Sequence, residues 1–144
     1  MGDLLSRHES TVAPMLAFDT DVHVERAEGP WVYDKHDNRW ADYACGTAVA
    51  NLGHNHPEVI EAARQQLGKL AHAGCVFRYD SIVELAERLR TITPDGIEKF
   101  GFANSGAEAV EAGVKLARYV TKRQGVFAFR GAFHGRTMGS VAYT

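Results

Sequence analysis

Phe100-Gly101-Phe102-Ala103-Asn104-Ser105-Gly106-Ala107-Glu108-Ala109-Val110-Glu111-Ala112-Gly113-Val114-Lys115-Leu116-Ala117-Arg118 decides how the chain is read. A short apolar run, 100–103, enters a small-residue turn, and a helical pattern begins at once and continues to about residue 122. Asn104 or Ser105 can cap that helix by accepting a free backbone N–H two or three residues on. Gly106 allows a tight turn and a close approach to a ligand. The first helical turn carries unpaired N–H groups and the positive end of the helix dipole, which together suit a phosphate dianion. Many capped helices in α/β proteins hold nothing, so this stretch needs a second feature before it points to a ligand.

Gly125-Val126-Phe127-Ala128-Phe129 follows as a short apolar strand. The order strand, helix, strand implies a right-handed crossover and two parallel strands, 100–103 and 125–129. The loop Phe133-His134-Gly135-Arg136-Thr137 then emerges at the same carboxyl edge as Ser105 and Gly106, where open parallel sheets bind ligands. Phe133 presents a flat apolar face that can stack on a planar heterocycle. His134 can exchange a hydrogen bond or a proton with a ring substituent. Each also has a plain structural reading, a core phenylalanine and an exposed loop histidine. The shared edge is what favours a site.

Upstream, 22–26, 31–34 and 40–43 alternate apolar and polar residues and are separated by Glu28-Gly29-Pro30 and Lys35-His36-Asp37-Asn38-Arg39, an antiparallel meander. Residues 46–53 read as a loop of small residues. His56-Pro57 opens a helix over 57–70, and Asp80 or Ser81 caps a second over 81–91 that ends at Thr93-Pro94-Asp95-Gly96. The parallel sheet and the helix faces ask for more cover than the sequence supplies, so the chain reads as the N-terminal, truncated piece of a larger protein.

The 144 residues are 45% hydrophobic and 24% charged, with a formal net charge of −2. No basic stripe is present, so nucleic acid and anionic membrane surfaces are not expected partners. No stretch is long and apolar enough to span a bilayer, and the N-terminus lacks a signal-peptide core. Cys45 and Cys75 have no CxxC spacing, which suggests reduced thiols in a cytoplasmic setting. His54 and His56 lack nearby carboxylate or thiolate partners, so no metal site is expected. Arg78 and Arg136 are candidates for pairing a substrate carboxylate, though solvated surface arginines are common. None of the lysines stands after a strand at the ligand edge as a Schiff-base nucleophile would, so no catalytic residue is assigned.

With these residues in place, the chain resembles the N-terminal third of the class III (ω-amino-acid) aminotransferases, fold-type I enzymes that use pyridoxal 5'-phosphate. The likeness runs from about residue 20 onward. It is carried by Gly29 to Tyr43, by Gly46-Thr47-Ala48-Val49-Ala50-Asn51-Leu52-Gly53-His54-Asn55-His56-Pro57, and most specifically by Ser105-Gly106-Ala107-Glu108-Ala109 followed by Phe133-His134-Gly135-Arg136-Thr137. Within the class it is most similar to the 4-aminobutyrate aminotransferases.

The resemblance implies an α/β fold, with residues 1–55 in the small domain (meander included) and 56–144 opening the large parallel-sheet domain. It implies that Gly106 and Ala107 bind the cofactor phosphate through backbone N–H groups with Ser105 beside them. Phe133 would stack on the pyridine ring and His134 would lie near its substituents. Thr47 falls where the family often has a larger aliphatic pocket residue, and Phe77, with Val76, would line the same pocket. It further implies a homodimer that passes an amino group from a 4-aminobutyrate-like amino acid to a 2-oxo acid. The family's Schiff-base lysine and the aspartate that pairs the ring nitrogen lie later in the family's sequence, so this piece by itself is expected to be inactive. The same cradle also serves decarboxylases and aminomutases. A non-catalytic fragment is a further alternative. A generic nucleotide-binding domain is disfavoured by the lack of a GxGxxG or P-loop sequence.

Overall fold

The computed structural model describes residues 3–15 and 18–144. Its backbone falls into two units, Met1–Val76 and Phe77–Thr144.

In the first unit, α1 (Leu4–Thr11) is capped by the Asp3 carboxylate, which accepts the Leu4 N–H at 2.8 Å. The meander follows as β1 (Val24–Glu28), β2 (Trp31–Asp34) and β3 (Arg39–Ala41), antiparallel and in the order β1-β2-β3. Glu28 pairs with Trp31, so the first turn is only Gly29-Pro30, and β1 runs two residues further than its alternation suggested. The second turn is held by Asp34, whose carboxylate accepts the N–H groups of His36 and Asn38 and the Asn38 side-chain amide at 2.8–2.9 Å. Arginines brace the sheet. The Arg26 guanidinium lies 3.6 Å from the centre of the Tyr33 ring and pairs with Asp37 at 2.8 Å, while Arg39 covers Trp31. β3 ends before 43 because Asp42 leaves the ladder to organise the next turn, the single-turn element α2 (Cys45–Ala48). Then α3 (Pro57–Lys69) starts with proline in its first turn, where a missing N–H costs nothing.

In the second unit, α4 (Asp80–Arg90) places Asp80 inside its first turn. The expected cap at Asp80 or Ser81 is therefore corrected: the capping position is Tyr79, and Asp80 instead sits where the helix dipole favours negative charge. α5 (Gly106–Thr121) is capped by Ser105 and stops on Lys122, which takes the left-handed conformation at φ 59°. A short α6 (Met138–Val141) closes the unit.

The two expected parallel strands are corrected as well. Segments 100–103 and 125–129 run without ladder partners, and among the described residues the only sheet is the antiparallel meander. Parallel pairing is stable within a sheet covered on both faces. Neither face is covered here: Phe127 and Phe129 are 105% and 89% exposed. No apolar side chain among the described residues is buried. No helix of the described residues is long and apolar enough to cross a membrane.

Candidate functional site

The start of α5 and the loop before α6 line one cavity of about 380 Å³, with Ser105, Gly106 and Ala107 on one side and Phe133, His134, Gly135 and Arg136 on the other. Six residues singled out from the sequence, Arg136 among them, thus share one cup. Its rim is built by capping chemistry. The Ser105 hydroxyl accepts the Glu108 N–H at 3.2 Å, and the Glu108 carboxylate reaches back to the Asn104 N–H at 2.7 Å. This reciprocal arrangement is close to a capping box, displaced by one residue. It leaves the N–H groups of Gly106 and Ala107 without an acceptor among the described residues. Two free donors at a helix start make an anion seat.

Opposite them, the His134 N–H donates to the Thr144 hydroxyl at 3.1 Å, while the ring Nδ1 is buried with no partner. Phe133 is 68% exposed, leaving ring surface open to a flat ligand, and the Arg136 guanidinium lies 5.4 Å from its centre. The loop can approach α5 only because residue 135 is glycine. At φ 122° a Cβ there would sit 2.6 Å from both the Ala107 Cβ and the Ser140 Oγ.

A second cluster lies in the first unit. Cys45, Gly46, Thr47 and Ala48 all have φ between 50° and 64°, so α2 winds left-handed. For the three residues other than glycine this costs about 1–2 kcal/mol each. Asp42 holds the turn: its carboxylate accepts the N–H groups of Ala44 and Cys45 at 2.9 Å and of Gly46 at 3.2 Å, and pairs with His54 Nε2 at 2.8 Å. The His54 bond, followed by the backbone donors, holds the Asp42 carboxyl below the usual carboxylate range. Backbone strain of this kind, especially at a β-branched threonine, gathers at functional sites. Thr47 sits in that turn. Phe77 belongs to the other unit and is 71% exposed, and neighbouring Val76 is exposed too. His54 is committed to Asp42, and no group of three metal-ligating side chains exists among the described residues.

Sequence reasoning missed Asp42, the left-handed turn, and the reach of Glu108 and Glu111. The Ser-x-x-Glu pattern at 105–108 and the Thr-x-x-Ser pattern at 137–140 were the available signals, since both describe reciprocal caps. The local signal for Asp42 was an aspartate just ahead of a small-residue turn, but its His54 partner lies in a different turn.

Residues 15–144 match the family model for class III aminotransferases. The chain belongs to the class III aminotransferases. It is 44% identical over 144 residues to a 5-aminovalerate aminotransferase of Pseudomonas aeruginosa, covering 98% of this chain and 34% of that protein. It is 46% identical over 121 residues to a probable 4-aminobutyrate aminotransferase of Bacillus subtilis, covering 83% and 28%. Among solved structures it is similar to taurine:2-oxoglutarate aminotransferase from Bifidobacterium kashiwanohense, in complex with PLP and glutamate, at 27% identity and a TM-score of 0.86, covering 94% of this chain and 31% of that one. The chain thus spans about a third of the length of the relatives it matches. The α/β fold is that of the fold-type I enzymes, and class III aminotransferases work with pyridoxal 5'-phosphate. The cup fits such a group: two free amide donors suit a phosphate, and an unpartnered ring nitrogen suits a polar ring substituent.

Proposed function

We propose that this chain provides the phosphate cup of an aminotransferase that moves the amino group of an ω-amino acid, of the 4-aminobutyrate or 5-aminovalerate kind, to a 2-oxo acid. The observation that carries this reading is the single cavity lined by Ser105, Gly106, Ala107, Phe133 and His134. The names of the relatives support the choice of amino donor.

In this reading the N–H groups of Gly106 and Ala107 donate to the phosphate, with the Ser105 hydroxyl at the rim and the helix dipole of α5 reinforcing the dianion. Phe133 covers one face of the pyridine ring. His134, on the cup's wall, lies near the ring's substituents. Bound pyridoxal phosphate supplies the carbonyl that carries the amino group and the electron-poor ring that eases the transfer. For the amino donor's chain, Thr47 is the contact proposed in the first unit, and Phe77 is proposed separately in the second. Residues 1–55 belong to the small domain and 56–144 begin the large one, and the whole protein is a homodimer acting on amino-acid and 2-oxo-acid substrates.

The test is on the whole protein. With pyridoxal phosphate it should gain the cofactor's visible absorbance, lose it on adding 4-aminobutyrate or 5-aminovalerate, and form a new amino acid from 2-oxoglutarate. Absence of the absorbance sinks the cofactor assignment. Carbon dioxide release, or an amino group moved within one molecule, sinks the transfer.

A further inference from the structure

Two segments far apart in sequence form the cup, so something must hold the loop to the helix. α5 offers one face for this, because Ala107 and Glu111 stand one turn apart on the same side. The loop runs along that face. Gly135 packs on Ala107, and one turn further the Thr137 hydroxyl donates to Glu111 Oε1. Gly139 lies so close to the same carboxylate that a Cβ there would be 2.6 Å from Glu111 Cδ.

Thr137 is itself fixed. Its Oγ1 accepts the Ser140 N–H at 3.2 Å, and its N–H donates to the Ser140 hydroxyl at 3.1 Å. Ser140 is the one fully buried side chain among the described residues. The two hydroxyls are also 2.8 Å apart. With the Thr137 proton directed to Glu111, the Ser140 hydroxyl is left to donate back to Thr137.

We propose that Glu111 is a positioning residue: through the Thr137 hydroxyl it locks the loop carrying Phe133 and His134 against α5 and so fixes the far wall of the cup. Glu111 does not line the cup, and nothing in the sequence separates it from the many solvated glutamates of helix faces. The carboxylate anchors a reciprocal cap, and that cap fixes the loop's exit three residues after His134. The functional part of the claim rests on the cup holding pyridoxal phosphate; the mechanical part does not.

The experiment uses the whole protein and the variants Glu111→Ala, Glu111→Gln, Thr137→Val and the double variant Glu111→Ala/Thr137→Val. In the protein without cofactor, amide hydrogen exchange is read over 133–141, with the meander amides 31–34 as the control for global unfolding. Glu111→Ala and Thr137→Val should each speed exchange in 133–141 and leave 31–34 unchanged. Glu111→Gln should restore protection, because its amide oxygen still accepts the hydroxyl. With pyridoxal phosphate, each disruptive variant should weaken affinity on the order of tenfold, as loss of one hydrogen bond to a charged group does. The circular dichroism of the bound cofactor should diminish with it, and the double variant should be no worse than either single one. Unchanged exchange in Glu111→Ala, or additive effects in the double variant, overturns the lock. If Glu111→Ala does not fold, the comparison of Thr137→Val with Thr137→Ser, which keeps the hydroxyl, decides in its place. A wild-type protein that binds no pyridoxal phosphate overturns the proposed function, while the exchange data still decide the lock.

Discussion

At the scale of single residues, Asp42 has the most to hold. Three backbone donors and one imidazole converge on its carboxylate, and they keep its pKa below the ordinary value. A carboxyl depressed in the folded state adds stability that is present in full above its unfolded pKa and is lost as pH falls through the lowered folded value. The left-handed turn should therefore persist at neutral pH and loosen in acid, below about pH 4. Amide exchange at Ala44, Cys45 and Gly46 is the measurement. Protection relative to the intrinsic exchange rate should fall on acidification in the wild type, and in Asp42→Ala, which removes the acceptor, it should be low already at neutral pH with little further change. Equal acid sensitivity in the variant would contradict the assignment. Gly135 makes the opposite kind of demand, for the absence of a side chain. Gly135→Ala places a methyl group against Ala107, whose Cα would be 3.0 Å away, in a backbone conformation that L-residues rarely adopt. The loop must then lift off α5, and cofactor affinity should fall by more than the tenfold expected on losing one hydrogen bond; spectroscopic titration of the whole protein checks it.

At the scale of elements, α5 was legible from the sequence because its signals are local. Ser105 precedes the apolar period, Glu108 follows three residues on, and the helix forms over Gly106–Thr121. The meander was legible for the same reason, its alternation and its Gly-Pro turn lying within a few residues of each other. The left-handed turn of α2 was not. Its conformation depends on Asp42 and His54 acting across a loop, and the sequence of small residues from 46 to 53 admits many shapes. The parallel pairing of 100–103 with 125–129 was read from element order alone, which says how strands can be connected but not whether the flanking strands and covering helices are at hand. The capped start of α5 has a structural job, starting the helix, and under the proposed function a second, separable one, admitting an anion. Ser105→Ala should remove the cap and cost about 1 kcal/mol of helix stability. Ser105→Asp should keep the cap, since aspartate accepts the Glu108 N–H as well as serine does, yet set a negative charge beside the phosphate seat. Denaturation of the whole protein should rank the alanine variant as the weaker fold, and titration with pyridoxal phosphate should rank the aspartate variant as the weaker binder. The same ranking in both assays would mean that the helix start has only its structural job.

At the scale of the molecule, the apolar faces set the terms. Phe127 and Phe129 stand free, and Leu116, Tyr119 and Val120 of α5 are largely exposed as well. An apolar surface of this extent is covered in a stable protein, by further chain or by a partner. The relatives, roughly three times as long, have sequence to spend on such cover. The 144 residues produced on their own should therefore bind a hydrophobic dye strongly, and should lose secondary structure gradually over a wide span of urea, because little apolar area changes exposure on unfolding and the denaturant slope follows that area. The whole protein should bind the dye weakly and unfold in a steep transition that moves to higher urea with pyridoxal phosphate, as binding to the native state alone requires. A steep transition and weak dye binding from the 144 residues alone would show that they bury a core unaided, and would remove the physical reason for assigning the exposed faces of α5 and 125–129 to a larger sheet.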